Sequence, residues 1–297
     1  MEIDTLRMFL KVAELASFTR AAEHLGMSKA RVSMAVRALE TDIGNRLLQR
    51  STRAVRLTPD GEEFVVRARQ LVSDADELAS LFQAPSSLRG RVRIDMPQSV
   101  GRTMFISRLP ELLAAHPHIE VQLSTTDRRV DVIREGFDCV LRVGKLEDSG
   151  LVARRLGELS MMNCASPAYL KKFGTPRTLD ELRDHLVVHY TIRFGTDSPG
   201  FEYRDANIYR ERPMRSLITV NSTDSYHAAC LAGLGIIQSA RMGLRASVTA
   251  GELVEILPQH TCQPLPVSLV HAHGRNVPRH VRVVMNWIGE ILKGQFE

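Results

Sequence analysis

What this chain of 297 residues lacks narrows its work first. The longest apolar run, Ala228 to Ile237, is far too short to span a bilayer, so no membrane-crossing helix is expected. The first residues include Glu2 and Asp4 and show no basic-then-apolar leader, which points to the cytoplasm. Cysteine is scarce. Cys139, Cys164, Cys230 and Cys262 are scattered with no CxxC pair, which argues against a zinc site or a disulfide framework. Buried thiols in a reducing compartment are the expectation, and a redox switch is the lesser alternative. The chain also lacks GxSxG, HExxH and a Walker loop. AGLGI at 232–236 is half a dinucleotide loop that lacks the third glycine and a clean preceding strand with an acidic residue downstream. The ten histidines are dispersed, and His271 and His273 read as structural rather than as metal ligands. No cofactor and no metal are expected, and an enzyme is the weaker reading. No tandem repeat or low-complexity segment is present.

What is there suits an ordinary globular protein. Apolar residues make up 44% and charged residues 25%, and the length accommodates two or three domains with normal cores. The net charge of +5 is concentrated. Lys29, Arg31, Arg37, Arg46, Arg50, Arg53 and Arg56 face only Glu40 and Asp42 between residues 28 and 58, so seven cations against two acids account for the whole excess. A local basic stripe on a nearly neutral remainder points to a polyanion, although a solvated face would carry the same charge.

The same stretch has the periodicity of a DNA reader. Leu6, Phe9, Leu10 and Ala13 predict a helix over 4–16. Ser17 and Thr19 break it, and Ala21, Ala22 and Leu25 mark a short second helix that Gly26 ends in a left-handed turn. Ser28 caps a third helix, in which Val32, Val36, Leu39 and Ile43 share one face. Its other side carries Ala30, Met34 and Arg37, flanked by Lys29, Arg31 and Ser33. Small and hydrogen-bonding side chains near a helix N-terminus are what entry into the major groove requires. Two short helices joined by a tight turn make a helix-turn-helix.

RLLQRSTRAVRLTPDG follows, with Leu47, Leu48, Val55 and Leu57 anchoring a small turn at Ser51-Thr52. Arg50, Arg53 and Arg56 project from this predicted β-wing toward phosphates or the adjacent minor groove, with Thr52 at its tip. Thr58-Pro59-Asp60 then opens a long helix. In it Phe64, Ala68, Leu71, Ala75, Leu78 and Phe82 repeat at heptad spacing. A dimer seam is favoured over packing on its own domain, because the helix stands between two domains; Pro85-Ser86-Ser87 closes it as a hinge.

From Arg91 the texture changes. VRIDM (92–96), IEVQL (119–123) and DCVLRV (138–143) are strand-like, with helices expected around 102–115 and 127–135. LVVHY (186–190), LITV (217–220), a helix near 223–232, GIIQ (235–238), PVSLVHA (266–272) and a helix over 279–293 continue the alternation. An α/β domain with a largely parallel sheet is expected. Ligands in such sheets sit at strand carboxyl ends. Loops there hold Gln98 to Gly101, Ser124 to Thr126, and Asn221 to Asp224, offering hydroxyls and amides suited to a carboxylate or other small polar group. Any one of these serines is better explained as a helix cap; three at equivalent places carry the argument.

Residues 1 to 82 resemble the N-terminal half of a LysR-type transcriptional regulator through LRMFLKVAELASFTRAAEHLGMSKARVSMAVRALE and IGNRLLQRSTRAVRLTPDGEEF. GFDCVLRVG, ASPAYLKKFGTPRTLDEL, VNSTDSYHAACLAGLGI and PVSLVHAHGRNVPRHVRVVMNWI extend the resemblance over essentially the whole chain. It implies an α+β multi-domain fold: a winged helix-turn-helix (1–58), a linker and dimerisation helix (59–85), and a two-lobed, periplasmic-binding-protein-like α/β effector domain (86–297). Lobe I would span about 91–160 and 267–297, and lobe II about 161–266. It implies Ser28, Lys29, Arg31, Ser33, Met34 and Arg37 at the groove and Arg50, Thr52, Arg53 and Arg56 in the wing. Phe64, Ala68, Leu71, Ala75 and Leu78 would lie in the dimer seam. Ser99, Val100, Thr125, Arg142, Asn221, Ser222 and Thr223 would line an effector cleft, with Arg193 beside it. Arg142 is a candidate anion partner or, equally, a structural arginine. The chain departs from the family at Met34, where a basic or polar residue is frequent, and near Ala30, where proline is.

The implied partners are double-stranded DNA, a small-molecule effector with an organic anion as one candidate, a second copy of the chain in a dimer or tetramer, and RNA polymerase. A plain solute-binding protein would lack residues 1 to 82, and an enzyme would not need the basic wing. Salt-dependent binding to duplex DNA separates the three readings.

Overall fold

A computed structural model describes the chain apart from residues 51–54, 81–87, 147–149, 196–199, 207, 274–276 and 297, and apart from the side chains of Arg50, Glu77, Ala79, Ser80 and Gln295. The chain opens with α1 (Ile3–Leu15), α2 (Phe18–Leu25) and α3 (Lys29–Ile43). Ser17 Oγ accepts from Arg20 N at 3.3 Å and Ser28 Oγ from Arg31 N at 3.2 Å, so each hydroxyl caps its helix. Gly26 and Gly44 adopt left-handed conformations and stop α2 and α3. Leu6, Phe9, Val12, Ala21, Val32, Val36 and Leu39 form a closed core in this module. Ile43, expected on the same inner face, is 36% exposed in the last turn of α3, beside the Gly44 cap.

Strands β1 (Leu48–Arg50) and β2 (Val55–Leu57) pair antiparallel, Leu48 opposite Leu57. Thr58 Oγ1 accepts from Gly61 N at 2.9 Å and caps α4 (Pro59–Ser80). A Cβ on Gly61 would lie 2.0 Å from the Leu47 carbonyl oxygen, so glycine is what lets the wing lie against α4.

Lobe I follows: β3 (Gly90–Met96), α5 (Gln98–Val100), a π turn leading into α6 (Ile106–Ala115), β4 (Ile119–Thr125), β5 (Cys139–Val143) and β6 (Val152–Leu159). Lobe II begins with β7 (Met161–Ala165), α7 (Pro167–Phe173), β8 (His189–Tyr190), β9 (Phe201–Asp205) and β10 (Ile208–Arg212). It continues with β11 (Thr219–Val220), α8 (Thr223–Leu231), β12 (Ile237–Ala240), α9 (Arg241–Thr249) and β13 (Val254–Glu255). The chain then returns to lobe I as β14 (Leu265–His271) and α10 (Arg279–Leu292).

The lobe I sheet runs in the order β4-β3-β5-β14-β6. Its first three strands are parallel, but β14 is antiparallel to both β5 and β6. The expected largely parallel sheet is therefore a mixed one, because β14 re-enters from lobe II against the direction of its neighbours. In lobe II, β7 pairs antiparallel with β12 and β13, and the β9–β10 hairpin is antiparallel as well. Lobe I buries Ile94, Met96, Phe105, Leu141, Leu269 and Val284, with Trp287 edge-on to Phe105 at 5.3 Å. Lobe II packs Met162, Val188, Tyr226, Cys230, Ile237 and Leu244 into one cluster.

The helix expected over 127–135 is a single turn. Asp131 Oδ1 accepts from Ile133 N and Arg134 N at 3.1 and 3.0 Å, and Gly136, at φ +71°, ends it. Val130 and Val132 are buried on its inner side. Each described cysteine is buried, and burial pushes the thiols of Cys164, Cys230 and Cys262 up to about 12 and that of Cys139 higher still. Burial thus favours the protonated thiol at each position.

Candidate functional site

Three places carry concentrated chemistry: the outer face of α3, the junction of α4 with lobe I, and a cavity between the lobes. On α3, Val32, Val36 and Leu39 are at most 1% exposed, whereas Met34 is 66% exposed. Lys29, Ala30, Arg31, Arg37, Ala38 and Thr41 are also exposed, so small and basic side chains line the outer surface. Ser28 is exposed, with its hydroxyl engaged in the cap, and Ser33 is half-buried. Arg56 is exposed on β2. The Arg50 side chain, Thr52 and Arg53 lie outside the described residues. Glu40 had counted only as an opposing charge. Its Oε1 accepts from Leu47 N and Leu48 N, each at 3.0 Å, which fixes the wing to α3. Nothing in the pattern of α3 signals that reach, because its partners are backbone amides on the next element.

The heptad on α4 divides. Phe64 meets Phe9 edge-on at 5.4 Å, and Ala68 is buried with Val65 against the first module. These positions belong to their own domain rather than to a seam. Leu71 is 44% and Leu78 70% exposed, and Ala75 is half-buried. Phe82 and the hinge at 85–87 lie outside the described residues.

Lobe I is met by the end of α1, through Glu14, and by α4, through Arg69 and Gln70. Arg91 Nη1 reaches Glu14 Oε1 at 3.2 Å, and Lys11 Nζ reaches Glu14 Oε2 at 2.9 Å. Burial pushes the Glu14 carboxyl up, but Lys11 and Arg91 together hold it below the usual range. Arg69 is thrust under the 132–136 turn: a Cβ on Gly136 would sit 2.2 Å from its Nη1. His273 Nδ1 is 3.3 Å from Gln70 Oε1 of α4, a contact across the same junction, and its Nε2 lies 3.6 Å from Asp138 within lobe I. A hollow of about 970 Å³ lies here, walled by α4, the 132–138 segment, His273 and His280.

Between the lobes lies a cavity of about 640 Å³. Lobe I contributes Ser99, Val100, Thr103, the segment Thr126 to Val130, Val132, and Leu141 to Leu146. Lobe II contributes Tyr190, Ile192, Thr223, Tyr226, His227, and residues from Gln238 to Gly243. Val132 also walls the junction hollow, so one segment borders both spaces.

The polar groups of the cavity are mostly engaged with one another. Arg142 Nη1 donates to Asp95 Oδ2 at 3.2 Å and Nη2 to Val130 O at 3.3 Å. Burial pushes the Asp95 carboxyl up against the pull of Ser124 and Arg142, and burial likewise lowers Arg142 against the pull of Asp95. Asp127 Oδ1 accepts from Gln98 N at 3.2 Å, and its Oδ2 accepts from Thr223 N of lobe II at 2.6 Å. His227 Nε2 lies 2.8 Å from Ser239 Oγ, and burial lowers its pKa against the pull of Asp224 and Asp127, which favours the neutral ring. Tyr190 and Tyr226 stand 5.5 Å apart. Burial raises both phenols, Tyr190 to about 12.

Of the residues expected around a cleft, Ser99, Val100, Arg142 and Thr223 line this cavity. Thr125 points its methyl at Gly101, where a Cβ would come within 2.5 Å of it. Ser222 caps α8, accepting from Ser225 N at 3.2 Å; Asn221 and Ser222 are not in the lining, and Arg193 is exposed outside it. Sequence reasoning missed Asp127, Tyr190, Tyr226, His227 and Gln238. Asp127 directly follows the Ser124 to Thr126 loop, and Tyr226 begins one turn beyond Asn221, so both stood beside loops already marked. The AGLGI glycines have a structural cause: a Cβ on Gly235 would meet the Leu186 carbonyl oxygen at 2.9 Å. Among the described residues no group of His, Cys, Asp and Glu is arranged to hold a metal ion, and no helix is long and apolar enough to cross a membrane.

Comparison with known proteins places these features in a family. Residues 3–62 match the model of the bacterial regulatory helix-turn-helix protein, lysR family, and residues 85–293 match the LysR substrate binding domain. The chain is 43% identical over 293 residues to the HTH-type transcriptional regulator YhjC of Escherichia coli (strain K12), covering 98% of each chain. It is 30% identical over 286 residues to the HTH-type transcriptional activator AaeR of the same strain, covering 95% of this chain and 91% of that one. The structure of CrgA, a LysR-type transcriptional regulator from Neisseria meningitidis, aligns with a TM-score of 0.61 at 27% identity, covering 98% of this chain and 99% of that one.

Proposed function

Since the chain belongs to the LysR family of bacterial transcription regulators, in which a helix-turn-helix domain binds DNA and a substrate-binding domain receives a small-molecule effector, we propose a division of that work among its own residues. The outer face of α3 lies in the major groove, with Met34 and Arg37 over base edges and Lys29, Arg31 and the N-terminal amides at phosphates. Ser28 and Ser33 border that surface. Arg50, Thr52, Arg53 and Arg56 in the wing meet the backbone or the neighbouring minor groove. What supports this is the split of α3: its apolar side is sealed in the core while its basic side faces solvent.

The family forms oligomers, and for this chain Leu71, Ala75 and Leu78 are the part of α4 that meets a second copy. They lie beyond the positions committed to α1. Dimers place two reading helices on paired half-sites. Such a complex works in the cytoplasm, meets RNA polymerase at a promoter, and carries out no chemical conversion.

The effector sits in the inter-lobe cavity, where Ser99, Val100, Arg142 and Thr223 meet it. Its effect travels through residues 126–138. One side of that segment borders the cavity at Asp127, Val130 and Val132; the other covers Arg69 of α4 at Gly136. A ligand that favours one arrangement of the segment shifts the seating of α4 and so the spacing of the reading helices. The observation that carries this is Val132, shared between the two walls. The test pairs a thermal-shift screen of small metabolites with binding to the chain's own upstream duplex. Stabilising compounds should alter DNA affinity in the parent and not in Ser99→Trp, whose indole fills the cavity. Compounds that act equally on both proteins would place the effector elsewhere.

A further inference from the structure

Two backbone amides between the lobes that could receive a negative charge are already taken by the chain itself. Asp127 stands on a turn held by Thr126, whose Oγ1 accepts from Arg128 N at 3.0 Å. Its two carboxylate oxygens reach across the cleft mouth, one to Gln98 N in lobe I and one to Thr223 N in lobe II. Thr223 lines the cavity and Gln98 stands between the lining residues Pro97 and Ser99, so a carboxylate bound to these two amides would have to displace Asp127. The Arg102–Asp224 pair, at 3.4 Å, ties the same two segments from outside. Of the four cations in the lining, Arg128 is held by both oxygens of Glu135, at 2.9 and 2.6 Å, and Arg142 by Asp95; Arg129 and Lys145 complete the set. An acid entering the cavity would face the Asp127 charge, lose hydration and find these partners engaged. The rest of the wall is dominated by Val, Leu, Ile and Met side chains, with the neutral hydroxyls of Ser99, Thr126 and Tyr190 between them.

We propose that Asp127 is a built-in occupant of the anion position between the lobes, and that it makes the cavity selective for uncharged, mainly apolar molecules bearing hydrogen-bonding groups. This rests on the cavity being the effector site. Asp127 is then a specificity determinant and a strap: it gives each lobe a charge-assisted hydrogen bond and excludes carboxylates from the same amides.

The test uses the full-length parent, Asp127→Ala and Asp127→Asn, read by thermal melting. Sodium formate is compared with sodium chloride at matched ionic strength, and a set of small carboxylic acids with their primary amides. Asp127→Ala should melt below the parent and be restored by formate and not by chloride. The parent should respond alike to both salts, and Asp127→Asn, whose amide still fills the space, should melt low without rescue. In the parent no acid should stabilise more than its amide; in Asp127→Ala the acid-to-amide affinity ratio should rise about tenfold. The proposal is overturned if formate does no more than chloride for Asp127→Ala, or if the parent gains from formate as the variant does. An acid that outdoes its amide in the parent overturns it as well, and that arm needs no variant to fold. Failure of the effector reading looks different: formate would still rescue Asp127→Ala, but no cavity ligand would change DNA binding.

Discussion

The DNA-facing module and the effector cavity are built in opposite ways. The face of α3 comes from one continuous stretch, in which a periodicity of three and four residues separates the buried Val32, Val36 and Leu39 from the exposed Met34 and Arg37. The cavity collects residues from Pro97 to Val270 across both lobes, and no local period links Asp127 to Thr223 or Tyr190 to Ser99. The first kind of site survives as long as one small core holds. The second exists only while two lobes keep their distance, and its polar groups are tied to one another before any ligand arrives. A surface that reads a long polyanion needs free charge, whereas a cavity that senses a small molecule needs its own charges neutralised.

Truncating a core anchor separates the two regions most sharply. Phe9 is fully buried and stacks edge-on with Phe64. Phe9→Ala should cost about 3–5 kcal/mol in the N-terminal module, abolish DNA binding and leave the effector lobes with their own calorimetric transition. A single transition that moves as one would show the regions to be one cooperative unit.

Arg142→Leu is the counterpart in the lobes. It leaves the fully buried Asp95 without its cation and should cost about 3–5 kcal/mol there, with the DNA-binding module intact. The sign of its pH dependence follows from burial. The folded carboxyl has a raised pKa, so the stability associated with its protonated form is present at low pH and lost as pH rises through that pKa. The variant should therefore recover stability as pH falls from neutrality. A deficit independent of pH would mean that Asp95 is not the group left uncompensated.

Arg37→Ala comes next, with a loss of about 1–3 kcal/mol in operator binding and a relaxed base preference, measured by fluorescence anisotropy. Arg56→Ala should weaken all duplexes alike and flatten the salt slope. Equal losses on operator and random DNA for both variants would remove the distinction between base reading and backbone contact. The smallest effect on fold belongs to Leu71→Asp, since Leu71 is 44% exposed in the single chain. Monomer stability should hardly change, while light scattering should report a lower oligomer mass; an unchanged mass would place the seam elsewhere.

Legibility followed the same divide. The helices of the first module, the caps at Ser17, Ser28 and Thr58, and the strands at 92–96, 119–123 and 138–143 were readable because local propensity and burial agree there. β6 and β7 were not, because neither alternates like a half-buried strand: Val152–Leu159 exposes its first four residues in succession, and Met161–Ala165 is buried at every position. The 127–135 segment looked helical, but Gly136 and the Asp131 cap confine it to one turn. The heptad on α4 was visible, yet nothing in its spacing shows that Phe64 and Ala68 serve α1 while Leu71 and Leu78 remain outside. Asp127 was hidden for a related reason: its partners are backbone amides 29 and 96 residues away, which no side-chain pattern records.

The most direct measurement is anisotropy of labelled duplex from the chain's own upstream intergenic DNA against random duplex, for parent and Arg37→Ala, across a salt series. The account predicts that the parent prefers its upstream DNA, that affinity falls steeply and linearly on a log–log salt plot, and that Arg37→Ala narrows the preference. Equal binding of both duplexes by both proteins at every salt concentration would contradict it, leaving the basic side of α3 a solvated face and not a reading surface.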